Sequence, residues 1–334
     1  MKYKFGTVLI LTSGLLLSQS GLHVNAEESN EASNSQTENT SKSINFEEAQ
    51  KMKPKELTNL LTDEDLELHN KVAEHGSTEM RSKKSTNEAY QDVNNYIEKN
   101  NIKPSNITQD SRMDSLPKYD FKSDEFIGVV IHETSNPSST IDDEINYMYN
   151  NYESAFVHAY AGSNKIVQTA SSDYLAWGAG AKANPYFYQI ELAQASTFDE
   201  FAKSVNNQAY LTAEMLKQNG LKPSLADNNE GTGTVISHNA ISEYWGGTDH
   251  TDPINYFSQW GYDMDQFYKL VEKHYNGTNE TDNEETISGD THKVVSGDTL
   301  YNISKRSGVS VDKLEELNDL SSNDLTVGQE LKLK

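Results

Sequence analysis

Apolar residues are distributed unevenly along this chain, and their spacing divides it into segments. Lys2 and Lys4 precede an apolar run from Phe5 to Leu17. Residues 27–44 are almost purely Glu, Ser, Asn, Thr, Gln and Lys, too poor in apolar surface to offset the entropy of ordering, and read as disordered. From Phe46 to Val72, Leu57, Leu60, Leu61, Leu66 and Leu68 recur with weak helical periodicity. That suits a small helical pair or a partner-binding segment, and Ser77 to Glu88 then returns to polar linker.

Denser patterning starts near Val93. Val93, Tyr96 and Ile97 predict a short helix, and Phe126 to Ile131 is a β-branched run of the kind found in strands buried on both faces. Ile141 to Asn151 has helical spacing. Phe156 to Tyr160 and Lys165 to Ala170 predict strands joined by the turn Gly162-Ser163-Asn164. Tyr186 to Leu192 predicts another buried strand, Phe198 to Asn219 a long amphipathic helix stopped at Gly220, Thr234 to Ser237 a short strand and Met264 to Tyr275 a closing helix. Strands alternating with helices imply an α/β layer fold. An acidic linker, 276–291, separates it from a unit at 292–334 that reads β-α-α-β: Val294 and Val295, Leu300 to Arg306, Val311 to Leu317 and Leu325 to Leu333.

Charge narrows the function. The chain has 28 basic and 51 acidic residues, a formal charge of −23, which argues against a nucleic-acid partner and offers no polybasic patch for an anionic membrane. It has no cysteine, so thiolate catalysis, cysteine-ligated metal and disulfides are all excluded. The opening apolar run is about 13 residues, short of the ~20 needed to span a bilayer, and Val24-Asn25-Ala26 follows it. Residues 1–26 therefore read as a secretory signal peptide cleaved after Ala26, and the rest as an exported protein of Gram-positive type with no integral membrane segment.

Candidate chemistry lies at strand ends. His132 ends one buried strand and His238 follows another, positions from which side chains reach the crevice of an open α/β sheet. The run Gly246-Gly-Thr-Asp-His-Thr-Asp-Pro253 adds His250 and two aspartates, Asp249 and Asp252. Two histidines and a carboxylate make a catalytic zinc set with one position left for water. The chain has no HExxH helix, so the common zinc-protease arrangement is excluded. Glu191, inside an apolar strand, is costly to bury without a partner or a task.

These blocks together resemble the zinc-dependent N-acetylmuramoyl-L-alanine amidases, the Amidase_2 group related to peptidoglycan recognition proteins, and within it the amidase modules of secreted autolysins. The carrying residues are Val130-Ile-His-Glu-Thr134, Ser154 to Tyr160, Ala176-Trp-Gly-Ala-Gly180, Gln189 to Leu192, Ile236-Ser-His-Asn239 and Gly246 to Pro253, across a domain at 93–275. The resemblance implies a mixed β-sheet flanked by helices, with one zinc ion held by His132, His238 and Asp252. Of the two aspartates, the family pattern favours the one before Pro253 as ligand. The resemblance also implies that Glu191 takes a proton from the nucleophilic water and returns it to the leaving nitrogen, and that His250 stabilises the oxyanion. Thr248 is a candidate for contact with the peptide stem, and Trp177 either lines the glycopeptide cleft or packs under its loop. His158 reads as a supporting or core histidine, Glu133 as a surface carboxylate, His274 as a charge partner for a helix C-terminus, and His69, His75 and His292 carry no signal.

The last 43 residues resemble a lysin-motif (LysM) domain, carried by Val294-Val-Ser-Gly-Asp-Thr-Leu300, Ile303, Leu314, Leu317-Asn318 and Leu325 to Leu331. That implies a shallow groove for N-acetylglucosamine-containing glycans, with Gly297, Asp298 and Thr299 as candidate contacts. The two resemblances name the same polymer. They imply a secreted, cell-wall-associated and monomeric peptidoglycan hydrolase that cuts between N-acetylmuramic acid and L-alanine. A non-catalytic peptidoglycan-binding or adhesion protein is the alternative.

Overall fold

The buried run that ends at His132 is the spine of the fold. The computed structural model describes residues 43–70, 92–277, 287–295, 298, 300–320 and 325–334. The signal peptide, the polar stretch to residue 42 and the expected linker at 77–88 lie outside them. A six-stranded sheet has the order β1 (Ile107–Gln109), β4 (Ile166–Gln168), β3 (Ala159–Ala161), β5 (Phe187–Leu192), β2 (Gly128–Glu133) and β6 (Val235–Ser237). Neighbours run parallel except β3 and β4, joined by the expected turn. The sheet is therefore mixed, and β2 is buried at all six positions because parallel strands flank it and layers cover both faces.

One layer is helical. α6 (Phe198–Gln218) begins at a capping box, in which Thr197 Oγ1 accepts from Glu200 N and the Glu200 carboxylate accepts from Thr197 N, each at 3.2 Å. Its apolar residues Phe201, Val205 and Ala209 pack with Val129, Ile131 and Ile190 of the sheet and with Phe267 and Val271 of α9 (Met264–Asn276). α4 (Val93–Lys99) and α5 (Ile141–Asn150) join the same core through Val93, Ile97, Ile141 and Ile145. Mid-helix, α6 turns the consecutive polar residues Asn206, Asn207 and Gln208 inward. Asn207 bonds Gly162 O at 2.7 Å, and Gln208 Nε2 donates to both His132 O and Ile190 O at 3.0 Å, locking the ends of β2 and β5 together.

The opposite face is closed by the segment whose role the sequence leaves undecided. α1 (Phe46–Ala49), α2 (Pro54–Thr58) and α3 (Asp63–Asn70) follow the expected helical pattern. Ala49 and Leu57 are fully buried in one cluster with Val130, Phe187, Ile236, Ile241 and Trp245. Tyr186 Oη donates to Leu57 O at 2.8 Å, and Lys122 Nζ meets Asp65 at 2.9 Å. The sequence places the domain start at residue 93, yet its core takes in residues from 44 onward.

In the C-terminal unit, β7 (Thr291–Lys293) pairs antiparallel with β8 (Glu330–Lys332), with α10 (Leu300–Ser307) and α11 (Val311–Asn318) between. The βααβ order holds, but the first strand lies three residues earlier than expected and the last is shorter. Val294 serves instead as a plug in a small core with Leu300, Ile303, Leu314 and Leu331, while Val295 is exposed.

Two histidines are structural. His158 is fully buried between the rings of Phe121 and Tyr188, accepting from Gln189 N at 3.0 Å while its Nε2 donates to Tyr174 O at 2.9 Å. That fixes a neutral ring, and burial pulls its pKa down to about 4. His274 corrects the expectation of a charged helix-end partner. Burial, with Lys217 and Lys273 nearby, lowers it to about 4, and Lys217 Nζ supplies the cation at the helix end by bonding His274 O at 2.9 Å. An unfolded histidine titrates near 6.5, so the unfolded chain takes up protons first as pH falls. The stabilisation from neutral His158 is complete above about 6.5 and is lost between 6.5 and 4. The stability lead of the wild type over His158→Gln should shrink by about 1.4 kcal/mol per pH unit in that window, read from urea unfolding at pH 7, 6 and 5. A lead independent of pH would show that His158 is not held neutral.

Candidate metal centre

The C-terminal ends of β5, β2 and β6 are adjacent, so residues far apart in sequence meet there. His132, next to last in β2, is the cross-strand partner of Glu191 in β5. His238 follows β6 directly and opens a single turn, α7 (His238–Ala240), capped by Ser237 Oγ on Ala240 N at 3.0 Å. The chain continues through a helical hook, Ile241–Trp245, into the loop that carries Thr248, His250 and Asp252. Asn239 N donates to Asp252 O at 3.0 Å and ties that loop back to the start of the turn. Gly247, at φ +83°, lets the loop pass close to Gly180, where a methyl group would lie 2.7 Å from Gly247 O.

The Asp252 carboxylate is the meeting point. Its Oδ2 lies 3.2 Å from His132 Nδ1 and its Oδ1 lies 3.1 Å from His238 Nδ1. His250 Nδ1 is 3.6 Å from Oδ1, with its ring stacked on His238 at 4.6 Å. Despite its proximity, His238 Nδ1 makes no hydrogen bond, as expected when two lone pairs face a shared third point. Tetrahedral ligands at ~2.0–2.1 Å from a zinc ion stand roughly 3.3 Å apart, close to both measured separations. The donor set fits a divalent cation, and the other nitrogen of His238 is already held, Nε2 lying 3.1 Å from Thr248 Oγ1. The loop's other aspartate, Asp249, is exposed and outside the cluster.

Electrostatics fit the same reading. Burial lowers the His132 pKa to about 4, with His238 adding to the effect, so its imidazole is a neutral donor at neutral pH. Burial alone would raise Asp252, yet His238, His132 and His250 together hold its carboxyl well below the usual range. Glu191 goes the other way. Burial first, then the charges of Asp252, Glu133 and Glu144, push it well above the ordinary carboxylate value, and its Oε2 is buried with no partner. The contact with Asp252 raises His250 against the opposing effect of burial.

Other candidates separate clearly. Thr248 sits at the centre as a support for His238. Trp177 is packed under its loop, its Nε1 donating to Tyr152 O at 2.8 Å and its ring edge-on to Phe156 at 4.5 Å, which is the packing alternative of the two the sequence left open. Glu133 is buried rather than a surface carboxylate, accepting from Gln194 Nε2 at 2.6 Å and from Ser135 N at 3.1 Å. The Asp298 carboxylate takes His292 Nε2 at 2.6 Å, Val295 N at 2.9 Å and an Arg306 nitrogen at 2.8 Å, so it braces its own fold; Gly297 and Thr299 lie outside the described residues. Sequence reasoning missed Gln208 and Ser242, whose Oγ donates to His250 O at 2.7 Å. The one signal for Gln208 is the polar triplet Asn206-Asn207-Gln208 within an amphipathic helix.

Comparison with known proteins agrees with this geometry. Residues 123–255 match the family model described as N-acetylmuramoyl-L-alanine amidase, and residues 292–334 match the LysM domain. Protein Ami of Listeria monocytogenes is 45% identical over 188 residues, covering 56% of this chain and 20% of that protein. The bifunctional autolysin of Staphylococcus aureus is 44% identical over 185 residues, covering 55% of this chain and 15% of that protein. The chain thus spans a fifth or less of the length of these curated relatives. The crystal structure of the S. aureus hydrolase AmiA in complex with its ligand aligns with a TM-score of 0.53 at 42% identity, over 58% of this chain and 93% of that one. With the His-His-Asp cluster inside the matched residues 123–255, the chain belongs to the N-acetylmuramoyl-L-alanine amidase family and carries a C-terminal LysM domain.

Proposed function

We propose that the chain is a secreted, zinc-dependent peptidoglycan hydrolase that cleaves the amide between N-acetylmuramic acid and L-alanine, held at the wall by its LysM unit. The observation that carries this reading is the convergence of His132, His238 and Asp252 beside a partnerless, proton-avid Glu191. A binding protein has no need of that carboxyl, and the alternative of a non-catalytic adhesin is set aside on it. Domain limits follow the same reading: a signal peptide at 1–26, a catalytic unit closing at 275, an acidic linker at 276–291 and the anchor from 292. Among the described residues no helix is long and apolar enough to cross a membrane.

The amide resists hydrolysis because resonance strengthens its C–N bond. His132, His238 and Asp252 would hold a zinc ion, which would supply Lewis acidity to acidify water and polarise the scissile carbonyl. Glu191 receives the water proton at Oε2 and delivers it to the departing nitrogen, which must leave as an amine. The raised proton affinity of Glu191 favours the first of these transfers, the uptake of the water proton. His250 is half exposed, at 49%, and its contact with Asp252 favours the protonated ring, so it donates to the developing oxyanion from the open side. Thr248 fixes the ring of His238, and Gln208 fixes the backbone of His132.

Metal analysis and muropeptide mass spectrometry test this together. The wild type should retain zinc and release stem peptides with N-terminal alanine. His132→Ala should lose both metal and wall lysis, while its LysM unit still binds walls. Glu191→Gln should keep the metal yet lower kcat by ~10²–10⁴-fold. Loss of the metal in that variant would show Glu191 to be a ligand instead. In chelator competition, Thr248→Val should weaken metal affinity roughly 10–100-fold with folding intact. Deleting residues 292–334 should release the enzyme from intact walls and spare cleavage of soluble fragments; unchanged retention would remove the anchor role.

A further inference from the structure

The metal-site loop has its own support, and part of that support comes from the N-terminal segment. The loop hangs from the hook Ile241–Trp245. Ser242 of the hook bonds the carbonyl of His250, and the chain leaving the hook brings Thr248 to His238. The hook in turn rests on the segment. Ile241 and Trp245 share a buried cluster with Ala49 and Leu57, and Trp245 Nε1 donates to Gly231 O at 3.0 Å. Gly231 is packed against both Tyr244 of the hook and Pro54 of the segment, since a methyl group there would lie 2.5 Å from Tyr244 Cβ and 3.3 Å from Pro54 Cγ.

The segment is fastened along its length. Ile44 N donates to Lys122 O at 2.9 Å, Tyr186 Oη to Leu57 O at 2.8 Å, and Asp65 pairs with Lys122 where both side chains are largely shielded from water. It does not cover the mouth of the site, because the His250 side chain keeps 49% exposure with the segment in place.

We infer that residues 44–65 form a positioning strap, with Pro54 and Leu57 its working residues, which holds the hook so that Thr248, His250 and Asp252 face the metal. The strap acts through the hook and touches no reacting atom. Its effect on cleavage rests on the amidase reading; its effect on metal affinity and loop mobility does not.

The test uses the full chain. Leu57→Ala should raise amide hydrogen exchange across 241–252 about ten-fold, weaken zinc binding by about ten-fold in chelator competition, and lower kcat on a soluble muropeptide with KM little changed. Leu57→Met should restore all three. Asp65→Asn, which loosens the far end without opening a cavity, should move exchange and zinc affinity in the same direction and serves if Leu57→Ala fails to fold. Faster exchange confined to 44–65, with zinc affinity and the 241–252 amides unchanged, overturns the strap. A rise in kcat also overturns it and makes the segment an inhibitor. A wild type that binds zinc but cleaves no muropeptide refutes the amidase reading, and the exchange and zinc measurements still decide the strap.

Discussion

A buried carboxylate with too many nitrogens around it organises this molecule. Asp252 is 9% exposed and lies within 3.2 Å of two imidazoles that arrive from separate strands. Taking a carboxylate out of water is costly unless it is paired, and a neutral imidazole pairs it poorly. The arrangement makes physical sense when a cation sits among the three. Everything nearby serves to keep them converged: the parallel register of β2 with β5 and β6, the Gln208 bridge across two strand ends and the Asn239 bond to the Asp252 carbonyl.

Much of this was legible in the sequence, for reasons that can be located. The β-branched run before His132 could only be a doubly covered strand, and a strand end is where an α/β sheet presents side chains to a crevice. The long amphipathic helix Phe198 to Asn219 with its Gly220 stop was equally plain. Asp252 was separated from Asp249 by the family pattern, and the structure makes the physical distinction, with one carboxylate in the cluster and the other in solvent.

What escaped has a common cause, which is that burial is a tertiary property. Glu133 follows a histidine in a loop-like stretch and looks like a surface acid; only Gln194 and Ser135, brought by another strand end and a turn, allow it to be buried. For Trp177, in a Gly-flanked loop, the sequence left cleft and packing equally open, and Phe156 with the Tyr152 carbonyl takes it inward. The weak leucine periodicity after Phe46 gave the helices but no hint of what they cover. Its apolar face is narrow because, among the described residues, the segment buries only Ala49, Pro54 and Leu57, a pattern too sparse to announce a domain layer.

The acids around the site lead one step further. Glu191 is surrounded by Asp252, Glu133 and Glu144, with no basic residue among the groups that shift it. That crowding raises the proton affinity of Glu191. A divalent ion held by His132, His238 and Asp252 would oppose the shift, because its charge would favour the carboxylate that its neighbours oppose. Metal binding would then favour the form of Glu191 that accepts a proton. The same linkage makes the ion a stabiliser of the fold, since it binds the converged native site and finds no such site in the unfolded chain. On the proposed reading such a chain couples chemistry to integrity: the strand ends, the hook and the strap that would hold the three side chains around a cation are the same elements that would make Glu191 a base.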